Sequence, residues 1–423
     1  MALTLSVMGE RDQVAWTLRR AGFGPAPGQL DGGLGATVDA LIDPDGHGVA
    51  PAPDPWAGVD LAGYDPAAKG AAPRKLVVAT IGAWLVAMAE SPRPLEEWMR
   101  WFWHGHFVST IRVVKQPPLL VAQLRRLGEL GLGDFRTLLR AVTVDPAMLV
   151  YLDGVTNRRG AVNENYGREV LELFALGIGH YTEADVRAGA TALTGWRAAG
   201  FEPRRHDDTP QSYLGRTGVH DVDTVVDAIV GHPACAPFIT AKLARAVLGP
   251  TVNPALVDRL AADFAASGLQ LRPLMRSILE AADASTELVS APVPWLVSMI
   301  KASGADPAAV ITKNAEAGLV AAGQVPLDAP NVAGWPGGRA WLSASTTVAR
   351  FNLATAVAGL APADGAARQA AAGGDPDALA DALGHPGGFG DGTRGALRDL
   401  APHDPTGAGR LAVAMASPDL TVT

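Results

Sequence analysis

Segment after segment of this chain places apolar residues three and four positions apart, and a sequence with that period almost throughout has little choice but to fold as packed helices. The period is read over residues 11–21, 75–90, 94–103, 118–130, 134–142, 163–176 and 182–193, and again over 222–229, 235–248, 254–267 and 271–281. The expected fold is mainly α, a multi-helix globular body with one small β-hairpin insertion. The hairpin is placed near 198–215, inside "GWRAAGFEPRRHDDTPQSYLGRTG", which is too polar for a core helix and carries turn residues in its middle. Residues 44–74 are rich in Pro, Gly and Ala and read as a long loop or surface excursion, with a second boundary of that kind near 362–376. Three regions follow: 1–75, an N-terminal helix and loop packing on the core; 76–360, the helical core; and 361–423, an Ala/Gly-rich helical segment. No internal repeat of fixed period occurs.

Composition narrows the functions open to such a body. Of 423 residues 48% are hydrophobic and 18% charged, ample apolar material for a large core and not the balance of a disordered chain. A net charge of -8 and a pI of about 5.6 give no electrostatic reason to bind nucleic acid or an anionic membrane. The single cysteine, Cys235, excludes an intramolecular disulfide and any cysteine-based zinc or iron–sulfur site, and its small apolar neighbours read as those of a buried thiol. A metal would have to be held by His, Asp or Glu. The start shows neither a basic leader nor a cleavage pattern, and no apolar run approaches membrane-spanning length, so the expected location is cytoplasmic with no membrane span. Walker, dinucleotide-binding, GxSxG and HExxH patterns are absent.

The stretch "NENYGREVLELFALGIGHYTEADVRAGATALTGW", 163–196, gathers three glutamates and an arginine within nine residues. On a wheel of about 100° per residue Glu164, Asn165, Arg168, Glu169 and Glu172 share one side, and Tyr166, Val170, Leu173 and Phe174 the other. Asn163 suits an N-cap and Gly177 a C-terminal stop. Arg168 lies four residues from both Glu164 and Glu172, so a solvated helix with ordinary ion pairs is one reading of this face.

Its company suggests another. In "EEWMRWFWHGHFVST" Glu97 and His104 are seven residues apart, hence on one helix face, among five aromatic residues that would bury His104 against a carboxylate. His106 would point nearly the opposite way unless the helix ended at Gly105. "RRHDD", 204–208, sets His206 and Asp207 on a loop, either as ligands or an oriented base, or as an exposed turn. The run "PLDAPNVAGWPGGRAWLSAST" holds two tryptophans among glycines and prolines and should be ordered against something.

In order, "RAGFGP", "FWHGHFVS", the "YLDGVTNRRGAVNENYGREVLELFALGIGHYTEADVRAGATALTGW" block, "RHD" followed by "YLG", "HPACAPFITAKLARAVLG", "PNVAGWPGGRAWL" and "LAVAMASPDL" resemble the bacterial family called domain of unknown function 1800, over almost the whole chain. The resemblance implies a mainly helical protein with no established reaction. It also implies a partner, a phosphatase- or sulfatase-like protein of the domain of unknown function 1501 family, and export signals in many relatives, from which this start departs. Gly167 stands where relatives usually have alanine, and Gln211 and Ser212 where "KT" is common.

The functional expectation is an enzyme whose site lies where the 163–176 helix, the "WHGHF" turn and the "RHDD" loop meet. Glu164, Arg168, Glu169, Glu172, His206 and Asp207 are the expected catalytic groups. His104, His106, Glu169 and Glu172 are the expected ligands of a divalent metal, since two buried glutamates repel unless a cation or shared proton relieves them. Trp196, Asn331 and Trp335 are expected to bind substrate. Metal-dependent hydrolysis is the leading reaction, with a carboxylate-bridged metal oxidoreductase next. The rival is a non-enzymatic partner or scaffold for the phosphatase-like protein.

Overall fold

The helical period becomes helix nearly everywhere it was read. The computed structural model describes residues 9–65, 71–282 and 285–423, and among these only two short antiparallel strand pairs interrupt the helices. The chain is mainly α. Polar caps start the helices where the backbone needs acceptors: Asp134 takes the Thr137 N–H, and Thr182 with Asp185, and Asp221 with Thr224, form reciprocal capping boxes. The helix Cys235–Leu248 falls on the range its period predicted. One continuous buried cluster runs from Val14 to Leu420, with Trp56, Trp84, Trp103 and Trp295 its largest fully buried side chains.

Four local expectations change. The helix Pro94–His106 does not end at Gly105, because a mid-helix glycine costs only about 1 kcal/mol and the aromatic residues around it are buried. The helix Ala71–Glu90 starts inside the range read as loop, of which 66–70 lie outside the described residues. The rest of that loop is pinned rather than loose: Trp56 is fully buried with its Nε1 donating to Thr80 O at 3.0 Å, and Arg93 holds Ala50 O, Val49 O and Asp45. Near 362–376 the helix Ala366–Gly373 buries Ala367 and Ala371.

The expected hairpin is two hairpins. Trp196–Arg197 pairs with Gly200–Phe201, and Gln211–Tyr213 pairs with Arg216–Val219. The second turns on Leu214 and Gly215, both at positive φ, and its fully buried Tyr213 ring packs where a side chain at Gly189 would meet it. At the far end, residues 288–290 pair antiparallel with 421–423, and Arg20 of the helix Glu10–Ala21 reaches into this pairing to donate to the backbone oxygens of Val247, Thr286 and Thr423. No single helix among the described residues is long and apolar enough to cross a membrane.

Candidate functional site

Most of the charged face of 163–176 is satisfied by its neighbours. The N-cap is Glu164 rather than the expected Asn163, whose Oδ1 accepts the Asn165 N–H from just ahead of it, and after Asn165–Glu169 the backbone widens to a π-turn over Val170–Ala175. Arg168 makes a two-pronged pair with Glu183 at 2.7 Å, Glu164 is paired with Arg187 at 3.3 Å and Arg168 at 3.7 Å, and the Tyr181 hydroxyl donates to Glu172 at 2.7 Å. Two of the three carboxylates, Glu164 and Glu172, are thus partnered by Arg168, Arg187 and Tyr181, while Glu169 has no hydrogen bond or ion pair among the described residues. Glu169 alone has its carboxyl pushed upward, first by burial and then by the negative charge of Glu172.

The two histidines diverge, as a helix continuing through Gly105 requires. His104 is fully buried and its Nε2 accepts the Leu327 N–H at 3.1 Å, with the rings of Trp84 and Trp335 edge-on to it. It does not reach Glu97. The Trp84 indole takes that carboxylate at 3.2 Å, and Arg100 takes its other oxygen. His106 donates from Nε2 to Phe174 O at 2.9 Å, a carbonyl within the π-turn. Burial pushes both imidazoles down to about 3, so both are neutral, His106 with its Nδ1 lone pair left over.

His206 and Asp207 belong to a third place. His206 Nδ1 donates to Thr194 O at 2.9 Å, Asp207 N–H donates to Thr194 Oγ1 at 2.7 Å, and the Asp207 carboxylate turns to Thr209 N–H. These bonds staple the loop onto the 194–195 corner. No hydrogen bond or ion pair among the described residues joins Glu169 or Glu172 to His104, His106, His206 or Asp207, and no group of three His, Cys, Asp or Glu side chains among them is placed to hold a metal. Trp196 packs on Phe201 in the first hairpin, and Asn331 is exposed, its Oδ1 holding the Ala333 N–H in a turn.

What converges instead is a cavity of about 340 Å³. One wall is the helix Pro94–His106, whose Trp98, Phe102 and His106 repeat every four residues with near-parallel rings, 12° and 8° apart. The facing wall is the "NVAGWPGGRAW" run, where Trp335 stacks on Trp101 at 5.4 Å and Trp341 closes the end. Arg19 and Arg20, from the last turn of the opening helix, and Lys242, at the exposed rim, supply the charge; no side-chain carboxylate among the described residues lines it. Gln324 lies on the floor with Oε1 committed to Val293 N–H, which leaves its amide donors.

The lining is accordingly rich in donors. Arg19 Nε and Trp335 Nε1 are buried with no partner, although Arg19 also donates to Gly384 O. Burial pushes the Arg19 guanidinium down to about 10 and that of Arg20 to about 9. Of the residues expected from sequence, His106 and Trp335 line this cavity. Arg19, Arg20, Lys242, Trp98 and Gln324 were missed; the adjacent arginines closing the helix Glu10–Ala21, beside its buried apolar run Val14–Leu18, were the one signal on offer. A wider groove of about 710 Å³ over Val348, Phe351 and Val413 is apolar, and its Asp419 is already held by Gly390 N–H and Thr393 Oγ1.

No curated protein and no solved structure matches the chain. The family model described as protein of unknown function (DUF1800) matches residues 16–422, a span that takes in both walls of the cavity and all three of its cations, and the chain belongs to that family.

Proposed function

We propose that the protein binds a small organic molecule in the tryptophan-lined cavity between the helix Pro94–His106 and residues 332–341. The observation that carries this reading is the convergence of Trp98, Phe102, Trp335 and Trp341 with donor side chains around one cavity of about 340 Å³. That volume lies at the low end of the roughly 300–1,000 Å³ typical of small-molecule sites, and the lining has their usual make-up, apolar and aromatic with a few convergent polar groups. Glu172, His104, His106 and His206, named for metal-assisted hydrolysis, are each spent on a separate partner and no three such side chains among the described residues come together, so the geometry supports that chemistry less well than binding.

Intrinsic fluorescence tests it, because the tryptophans line the site. Titration of the full chain with single-ring compounds, phenylacetate, phenyl phosphate and phenylacetamide among them, is expected to change tryptophan emission saturably. Binding should also raise the melting temperature, since a ligand that binds only the folded state stabilises it. Failure of every compound, charged or neutral, to do either would remove the reading.

A further inference from the structure

Among the described residues three cations and no side-chain carboxylate line the cavity, although the chain is acidic overall, so the local charge runs against the chain's average. The cations differ in what they have left to give. Arg20 donates to three backbone oxygens and acts as a clasp. Arg19 has one bond, to Gly384 O, and a buried Nε with no partner; the one carboxylate whose field it feels is that of Asp12. Lys242 makes no hydrogen bond or ion pair among the described residues, and its ammonium lies 5.3 Å from the Phe238 ring centre. Behind the lining, Arg350 is buried with Nε and Nη1 unpartnered, bonded only to Ser290 O. A buried cation with unsatisfied N–H groups is costly, and an anion brought to it is correspondingly favoured.

Resting on the reading of this cavity as a ligand site, we infer that its ligand is an organic anion with a single-ring apolar body, its anionic group held by Arg19 and Lys242 and its ring against Trp98 and Trp335. The donors on hand, Arg19 Nε, the Lys242 ammonium, the Gln324 amide and Trp335 Nε1, all ask for acceptors. A neutral ring would fill the space but leave those donors bare. Carboxylate and phosphate oxygens share the required chemistry.

The test compares ligands that differ only in charge. By fluorescence titration and calorimetry on the full chain at low salt, phenylacetate or phenyl phosphate should bind at least about tenfold more tightly than phenylacetamide, with the gap shrinking as salt rises. The tighter of the two anions identifies the group. Lys242→Gln, which breaks no hydrogen bond or ion pair among the described residues and gives up only the ammonium's contact with the Phe238 ring, should weaken the anion by about threefold and leave the amide unchanged; Arg19→Gln should weaken it by about tenfold. Equal binding of anion and amide, or an unchanged anion affinity in Lys242→Gln and Arg19→Gln, overturns the inference while the cavity remains a ligand site. Absence of binding by all three compounds overturns the site itself.

Discussion

Gly334 lies so close to Gly105 that a β-carbon on Gly334 would sit 2.5 Å from the Gly105 carbonyl oxygen. This contact joins the two motifs that wall the cavity, "WHGHF" and "NVAGWPGG". Gly334 also has φ +90, a conformation other residues adopt only with strain. The reverse position is permissive: a β-carbon on Gly105 would stand 3.9 Å from the Trp335 ring, an ordinary contact, and Gly105 is inside a helix.

The two glycines should therefore respond in opposite senses. Gly334→Ala is expected to destabilise by about 2 kcal/mol or more, from strain at positive φ plus the clash. Gly105→Ala is expected to be neutral or to stabilise by up to about 1 kcal/mol, the helix-propensity difference. Urea unfolding of the pair checks this, and equal losses would show that the contact does not set the spacing of the walls.

Arg20 is predicted to act as a clasp whose loss is felt at a distance. Arg20→Lys leaves acceptors at Val247 O and Thr286 O that a single ammonium cannot reach in the same fork, at about 1–3 kcal/mol for each orphaned group. Because Arg20 also holds Thr423 O, amide hydrogen exchange should quicken at Leu288 and Ser290, whose N–H groups bond Thr423 O and Thr421 O. Unchanged exchange there would separate Arg20 from the strand pairing.

Glu169→Gln should cost nothing at neutral pH. Its carboxyl is pushed upward by burial and by Glu172, so the ionised form is the disfavoured one and a neutral isostere relieves it. Because the group is partly open to solvent, the expected change is small, within about 0.5 kcal/mol and on the stabilising side. A large loss in thermal melts would mean that Glu169 is a needed partner in a network the ion pairs do not reveal.

How much of this was legible depended on whether a local period or a distant neighbour decided the outcome. Cys235–Leu248 and the caps at Asp134, Thr182 and Asp221 are local, and the sequence carries them. Gly105 reads as a stop but is overridden by burial of Trp103, His104 and Phe107 around it. The wheel of 163–176 supplied the right polar side, but not Arg187, which comes from the next helix and pairs with Glu164. The π-turn has no sequence signature, and it presents the carbonyl that His106 binds. The cavity joins residues 19, 98, 242, 324 and 335, and no spacing rule connects positions so far apart.

His104 and His106 are held near 3 by burial, whereas an unfolded histidine titrates near 6.5. Between those values the unfolded chain binds protons that the folded one refuses, so stability is fully present above about pH 6.5 and falls with pH below it. Each histidine contributes a loss of about 1.4 kcal/mol per pH unit once well below 6.5. Asp145 opposes this: burial raises its carboxyl to about 6, so the folded state binds a proton first and gains stability as pH falls from there towards the unfolded value near 4. The total slope mixes these terms, so a difference isolates one of them. In His104→Gln the amide oxygen can still accept the Leu327 N–H, and the variant should be less stable than wild type at pH 8 through imperfect packing. As pH is lowered from about 6 to about 4.5 that deficit should shrink by about 2 kcal/mol, because the variant has lost one refused proton while Asp145 and His106 still act in both proteins. Urea unfolding at half-unit pH steps gives the two curves, and a deficit that stays constant across the window would mean that His104 is protonated in the folded chain.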